Sequence, residues 1–223
     1  MKWPWDALTL VDRFWLLTTG VHPRRRPTHS ARLGVAMAAI RAIELAGEVR
    51  WTGLDEDARL YSIADCRCPQ PLRTWHDALQ ANEHLDLQGV AARFALDPLL
   101  ADAWRQAGEH LADLGLVTVQ RSRFGRFGNY AYGVAHVPQL RARRRDIIGL
   151  VAPSDGSVQD LPTDILELLV VASAADALSD LLRVPGLDPS PNLAAAIDFA
   201  TRGSRARRRL EETARYRGLD LSS

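Results

Sequence analysis

The chain has 223 residues, 47% of them hydrophobic, and a formal net charge of +1. That length can bury a full core as one compact domain, and its two cysteines, Cys66 and Cys68, are too close together for a disulfide framework, which suits a reducing compartment. The small net charge hides a local bias: Lys2 is the only lysine, and the arginines gather in runs while the acids are spread, so local field matters more than the total.

Met1 to Asp6 lacks the charged and apolar regions of a signal peptide, and no stretch approaches the roughly 20 apolar residues of a spanning helix. The expected location is therefore cytoplasmic or peripheral to a membrane. Thr9 and Asp12 form a capping-box pattern for a short amphipathic helix through Val11, Phe14, Trp15 and Leu17, stopping before Gly20. Prolines bracket the arginines of His22 to His29, so an exposed loop carrying Arg24, Arg25 and Arg26 is expected there. Ala31 to Ala46 is almost wholly apolar apart from Arg32, Arg41 and Glu44, and predicts a central helix ended by Gly47. Glu48 to Thr52 and Arg59 to Ala64 read as the strands of a small hairpin. Pro69 and Pro71 mark a linker before a helix with Leu72, Trp75 and Leu79, and Leu85 to Phe94 and Pro98 to Leu114 read as further helices.

The most informative stretch begins at Leu111. Its helix ends at Gly115, a strand follows, and Gly125, Gly128 and Asn129 supply a turn before a returning strand from Tyr130 to Val137. The hairpin presents Arg121, Arg123, Phe124, Arg126, Phe127, Tyr130 and Tyr132, cations and large rings on a ribbon too small to bury them. Such a ribbon suits an anionic membrane surface or a nucleic-acid groove. Pro138 starts a helix with Leu140, Ile147, Ile148 and Val151 on one side and Arg141, Arg143, Arg144 and Arg145 beside them. Asp160 and Pro162 open a second core helix through Leu168, Val171 and Leu178, and helical patterns resume over 192–200 and 202–217.

Catalytic patterns are missing. The sequence has no Gly-rich phosphate loop and no nucleophile elbow, and its six histidines are scattered, so neither an enzyme nor a cofactor is expected. Cys66, Cys68, His76 and His84 match no familiar zinc spacing, and no metal is expected either.

Several segments in order carry a resemblance: Leu8-Thr-Leu10 opening a helix, Ala42-Ile-Glu-Leu-Ala46 ending the apolar helix before a hairpin, Leu111-Ala-Asp-Leu-Gly-Leu116 before a second hairpin, and Ala174-Ala-Asp-Ala-Leu178. The chain resembles the Golgi phosphoprotein 3 family, its bacterial members in particular, most closely over residues 8–182 of a single domain spanning 1–223. The resemblance implies a mainly α fold, a single-domain helical bundle with apolar central helices wrapped by amphipathic ones, plus small β-hairpins. In the family's eukaryotic members it implies peripheral binding to phosphatidylinositol 4-phosphate and recruitment of membrane-protein tails by an adaptor. The lipid pocket there uses a tryptophan and several basic side chains. Ungapped counting places His29, Ala38, Ala101 and Trp104 at those positions, and none is matched in kind.

The expectation is a peripheral membrane adaptor that binds anionic, phosphoinositide-like headgroups through Arg24, Arg25, Arg26, Arg32, Arg121, Arg123, Phe124, Arg126, Phe127, Arg141 and Arg144. The same hairpin could join two copies of the chain. Alternatives are a protein scaffold or a winged-helix nucleic-acid binder, whose wing would be the basic hairpin. Ala101 to Asp113, the helix before that wing, holds Asp102, Glu109 and Asp113 against the single cation Arg105, a poor complement to phosphates.

Overall fold

The computed structural model describes residues 4–19, 27–52, 59–62, 67–80, 85–86, 103–121, 130–151 and 161–182. Over these the chain is mainly helical. A 3-10 turn at Trp5–Ala7 leads into α1 (Leu10–Thr18) and α2 (His29–Leu45). Strands β1 (Val49–Thr52) and β2 (Arg59–Ser62), helix α3 (Leu72–Gln80) and the short strand β3 (Leu85–Asp86) follow. Then come α4 (Ala103–Asp113), the hairpin strands β4 (Val117–Arg121) and β5 (Tyr130–Val134), and helices α5 (Val137–Val151), α6 (Thr163–Ala174) and α7 (Leu178–Leu181).

Local chemistry explains most boundaries. At the start of α1 the Asp12 N–H donates to Thr9 Oγ1 at 3.2 Å and the Thr9 N–H donates to Asp12 Oδ2 at 3.0 Å, the reciprocal box that satisfies two orphan donors. Helices α2 and α4 end alike, with Gly47 at φ 77° and Gly115 at φ 72°. In each case the next residue's N–H reaches back to the third-last helical carbonyl, Glu48 to Ile43 and Leu116 to Leu111, closing a Schellman cap that turns the chain into a strand. Helix α6 ends the same way at Asp176, φ 53°, with Ala177 N–H donating to the Ala172 carbonyl. The helix expected to run unbroken through Leu178 is therefore split into α6 and α7.

Three other expectations shift. Thr28 accepts from the Ala31 N–H at 3.0 Å and caps α2, so His29 begins a helix rather than ending a loop. Leu85–Asp86 pairs antiparallel with β2, Leu60 against Leu85 and Arg59 against Asp86, so the first sheet has the order β1-β2-β3 where a helix was expected to start. Residues 87–100 lie outside the described residues. The return strand of the second hairpin stops at Val134, because the Leu140 N–H already bonds the His136 carbonyl in the first turn of α5.

The buried side chains of the described segments form one contiguous cluster. Helix α1 sits inside it, packed on α2, α4, α5, α6 and α7, with Phe14, Trp15, Leu16 and Leu17 all fully buried in succession. The expected amphipathic opener is thus a core helix; its polar members Asp12 and Thr18 are buried too, Asp12 accepting from the Thr9 N–H at the cap and the Thr18 hydroxyl donating to the Phe14 carbonyl. The two helices expected as central are also in the core, α2 from Gly34 through Ile40 and α6 from Glu167 through Ala172. Arg41 ties them, donating from Nε and Nη2 to the Glu167 carboxylate at 2.6 Å each while Nη1 meets Glu44 at 2.7 Å. Burial works against the Arg41 charge, but the two carboxylates more than offset it and hold its pKa above the ordinary range.

Helices α1 and α2 touch at Gly34, where an added Cβ would lie 2.3 Å from Phe14 Cζ. Gly34→Ala is expected to lower stability by about 1–3 kcal/mol through overpacking. Gly115→Ala, whose Cβ would meet nothing within 4 Å, should cost about 1–2 kcal/mol from backbone strain alone. Urea midpoints measure both, and a neutral Gly34→Ala would contradict the close helix contact.

Candidate functional site

The second hairpin is rooted in the core by aromatic packing. Val117, Tyr132 and Val134 share its inward face and are buried, while Thr118 and Gln120 on the other face are exposed. Tyr132 meets Trp15 and Trp104 edge-on, with ring centroids at 5.5 and 5.1 Å, and those two indoles stack at 5.3 Å. Trp15 Nε1 donates to the Trp104 carbonyl at 2.7 Å, which fixes α1 to α4 at the same point. Each such ring pair adds about 0.5–1.5 kcal/mol beyond its buried area. Val119, directly opposite Tyr132 in register, is already 36% exposed and marks where the ribbon leaves the body.

The final described pair of that ribbon is Arg121 opposite Tyr130. Arg123, Phe124, Arg126 and Phe127 lie between them, outside the described residues, as do Arg24, Arg25 and Arg26. Tyr132 requires a correction: it was expected among the outward rings, and at 2% exposure it is a core side chain.

The arginine run on α5 does not form one cationic face. Successive helical residues turn by about 100°, so four neighbouring positions must diverge. Arg141 and Arg145 are exposed on one flank, and Arg143 lies on the other, over the Trp5 ring at 5.1 Å. Arg144 points inward between Leu140 and Ile147, is 2% exposed, and donates from Nη2 to the Leu17 carbonyl. Its burial lowers the guanidinium pKa to about 10, with Asp180 opposing the shift and Arg141 adding to it. Arg144, expected at a headgroup, instead supplies a donor to the buried C-terminal end of α1.

Arg32 is exposed in the first turn of α2, next to the cap where the Thr28 hydroxyl donates to Asp180. Of the positions aligned with the family's lipid pocket, His29 is exposed, Ala38 is fully buried, and Trp104 is part of the aromatic cluster; Ala101 lies outside the described residues. His76 and Cys68 are buried, Cys66 and His84 lie outside the described residues, and among the described residues no group of three or more metal-binding side chains converges. No helix among the described residues is long and apolar enough to cross a membrane.

Sequence reasoning missed a cluster around Trp5. Arg13 and Arg143 both approach this ring, at 5.7 and 5.1 Å, and both face Asp164 Oδ2, at 2.9 and 3.7 Å. No local signal links these residues, because Arg13 and Asp164 are 151 positions apart. Compared with models of known protein families and with curated proteins, the chain matches none.

Arg144→Ala should lower stability by about 2–4 kcal/mol, combining an unsatisfied buried carbonyl with a cavity. Arg144→Gln, which keeps a donor, should recover part of that loss. Tyr132→Ala is expected to cost about 3–5 kcal/mol. Denaturant unfolding of the three variants checks this, and an Arg144→Ala protein as stable as wild type would place that side chain outside the core.

Proposed function

We propose that the protein is a peripheral membrane adaptor that contacts anionic lipid surfaces with the tip of the β4–β5 hairpin. The observation that carries this reading is the contrast between the two ends of the ribbon. Its base is fixed by Tyr132 wedged against Trp15 and Trp104. The sequence joining its two strands, from Arg121 to Tyr130, holds three arginines, two phenylalanines and no carboxylate. Rings of this kind settle in the headgroup layer, and each cation near an anionic surface contributes about 1 kcal/mol. The resemblance to the Golgi phosphoprotein 3 family adds the adaptor role, with membrane-protein tails and a second copy of the chain as further partners.

The neighbouring helix favours lipid over nucleic acid. In a winged-helix protein α4 would enter the major groove, whereas here it packs on α1, α2 and β4, and its Arg105 is paired with Glu109 at 2.8 Å. Of the α5 arginines, Arg141 and Arg145 are exposed and can assist at the surface, whereas Arg144 is buried.

Phe124→Ser with Phe127→Ser should reduce co-sedimentation with phosphatidylserine-containing vesicles while the helical circular dichroism is unchanged. Arg123→Gln with Arg126→Gln should weaken the same binding about 30-fold, the equivalent of about 2 kcal/mol. Sedimentation indifferent to both pairs would remove the hairpin from the mechanism, and a salt-sensitive shift of duplex DNA by wild type, lost in the arginine pair, would favour the wing.

A further inference from the structure

We infer that Arg143, held between Trp5 and Asp164, is a receptor for a phosphate oxyanion, the group shared by inorganic phosphate, phosphate monoesters and phospholipid headgroups. This inference is independent of the hairpin reading.

The cluster has more positive charge than its own carboxylate neutralises. Each nitrogen of Arg13 is engaged: Nε donates to the Trp5 carbonyl at 3.2 Å, Nη2 to the Asp6 carbonyl at 3.2 Å, and Nη1 to Asp164 Oδ2 at 2.9 Å. Arg143 differs. It is positioned by the Trp5 face at 5.1 Å and by Asp164 Oδ2 at 3.7 Å, too long for a hydrogen bond, and its Nε has no partner among the described residues. Asp164 already bonds Arg13, so among the described residues two guanidinium groups share one carboxylate oxygen.

The position is accessible. The side chain of Arg143 is 29% exposed and that of Asp164 is 37% exposed, whereas Arg13 is 12% exposed and Trp5 is 5% exposed. Since Nε is closed off, the donors open to an outside acceptor are on the Nη end. A guanidinium whose plane is already fixed loses little rotamer entropy when it binds, and its fork matches two oxygens of a phosphate. The aromatic face beneath strengthens the arrangement by keeping the cation in place without using its hydrogen bonds.

Thermal unfolding of the full chain in sodium phosphate, against sodium chloride of equal ionic strength, tests this. Phosphate should raise the Tm of wild type and of Arg141→Gln equally, and Arg143→Gln should weaken the apparent affinity about tenfold or more. Asp164→Asn removes the competing carboxylate and should tighten phosphate binding, a response opposite in sign to any loss of stability it causes. Arg143→Lys, which keeps the charge without the fork, should bind between the two and serves if Arg143→Gln does not fold. An equal phosphate response in wild type and Arg143→Gln, or none in wild type, overturns the inference.

A vesicle arm separates the sources. In a chain already carrying Phe124→Ser and Phe127→Ser, residual co-sedimentation with phosphatidic acid vesicles that falls on adding Arg143→Gln assigns the phosphate to a lipid headgroup. A phosphate effect in solution with no such fall assigns it to a small phosphate compound. Because the hairpin is disabled throughout this arm, its outcome is separate from that of the hairpin experiment.

Discussion

A helix whose ends are buried must have its orphan groups met by side chains or backbone in place of water, and α1 meets that need at both ends. Its first turn is closed by Thr9 and Asp12, and of its last carbonyls that of Trp15 accepts from the Thr19 N–H and that of Leu17 from Arg144. Orphan groups at a helix end normally bond water, so removing water without replacing it would cost about 1–3 kcal/mol for each group. With these partners in place, Phe14, Trp15, Leu16 and Leu17 can all be buried, each contributing roughly 1.5–3 kcal/mol. Together they exceed half of a typical domain's net stability, and the five helices around α1 are arranged to contact them.

That arrangement also positions the hairpin. Trp15 extends from α1 to stack on Trp104 of α4, and Tyr132 of β5 closes the group from the side. The ribbon is therefore attached to the most deeply buried element of the fold through three rings rather than through its strands alone. Farther along β4, Val119 and Gln120 are exposed.

The features legible in the sequence were those written in neighbouring residues. Thr9 with Asp12, the terminating Gly47 and Gly115, and the apolar runs of α2 and α6 each act within a turn or two, so pattern alone identified them. The features it missed depend on partners far along the chain. Nothing near Arg144 indicates that its guanidinium is needed by a carbonyl 127 residues earlier. A helical pattern treats any arginine as surface, yet here it lies on the apolar side between Leu140 and Ile147. Tyr132 was misjudged for a related reason: β-strand alternation says which residues share a face but not which face is covered, and Trp104, which covers it, belongs to another element. The strand at Leu85–Asp86 is two residues long and has no periodicity to detect.

The run Arg141, Arg143, Arg144 and Arg145 shows how packing redistributes charge that looks concentrated in sequence. Helical geometry sends these side chains in three directions, and each meets different surroundings. Arg144 enters the core, where desolvation opposes its charge and the Leu17 carbonyl and the nearby Asp180 favour it. Arg143 stacks on Trp5 and shares Asp164 with Arg13. Arg141 and Arg145 are exposed. Four adjacent cations thus amount to one structural donor, one oriented guanidinium and two solvated charges. Their effect on an anionic partner follows from these separate positions, since beyond about 8 Å the field of an exposed charge is largely screened at physiological salt.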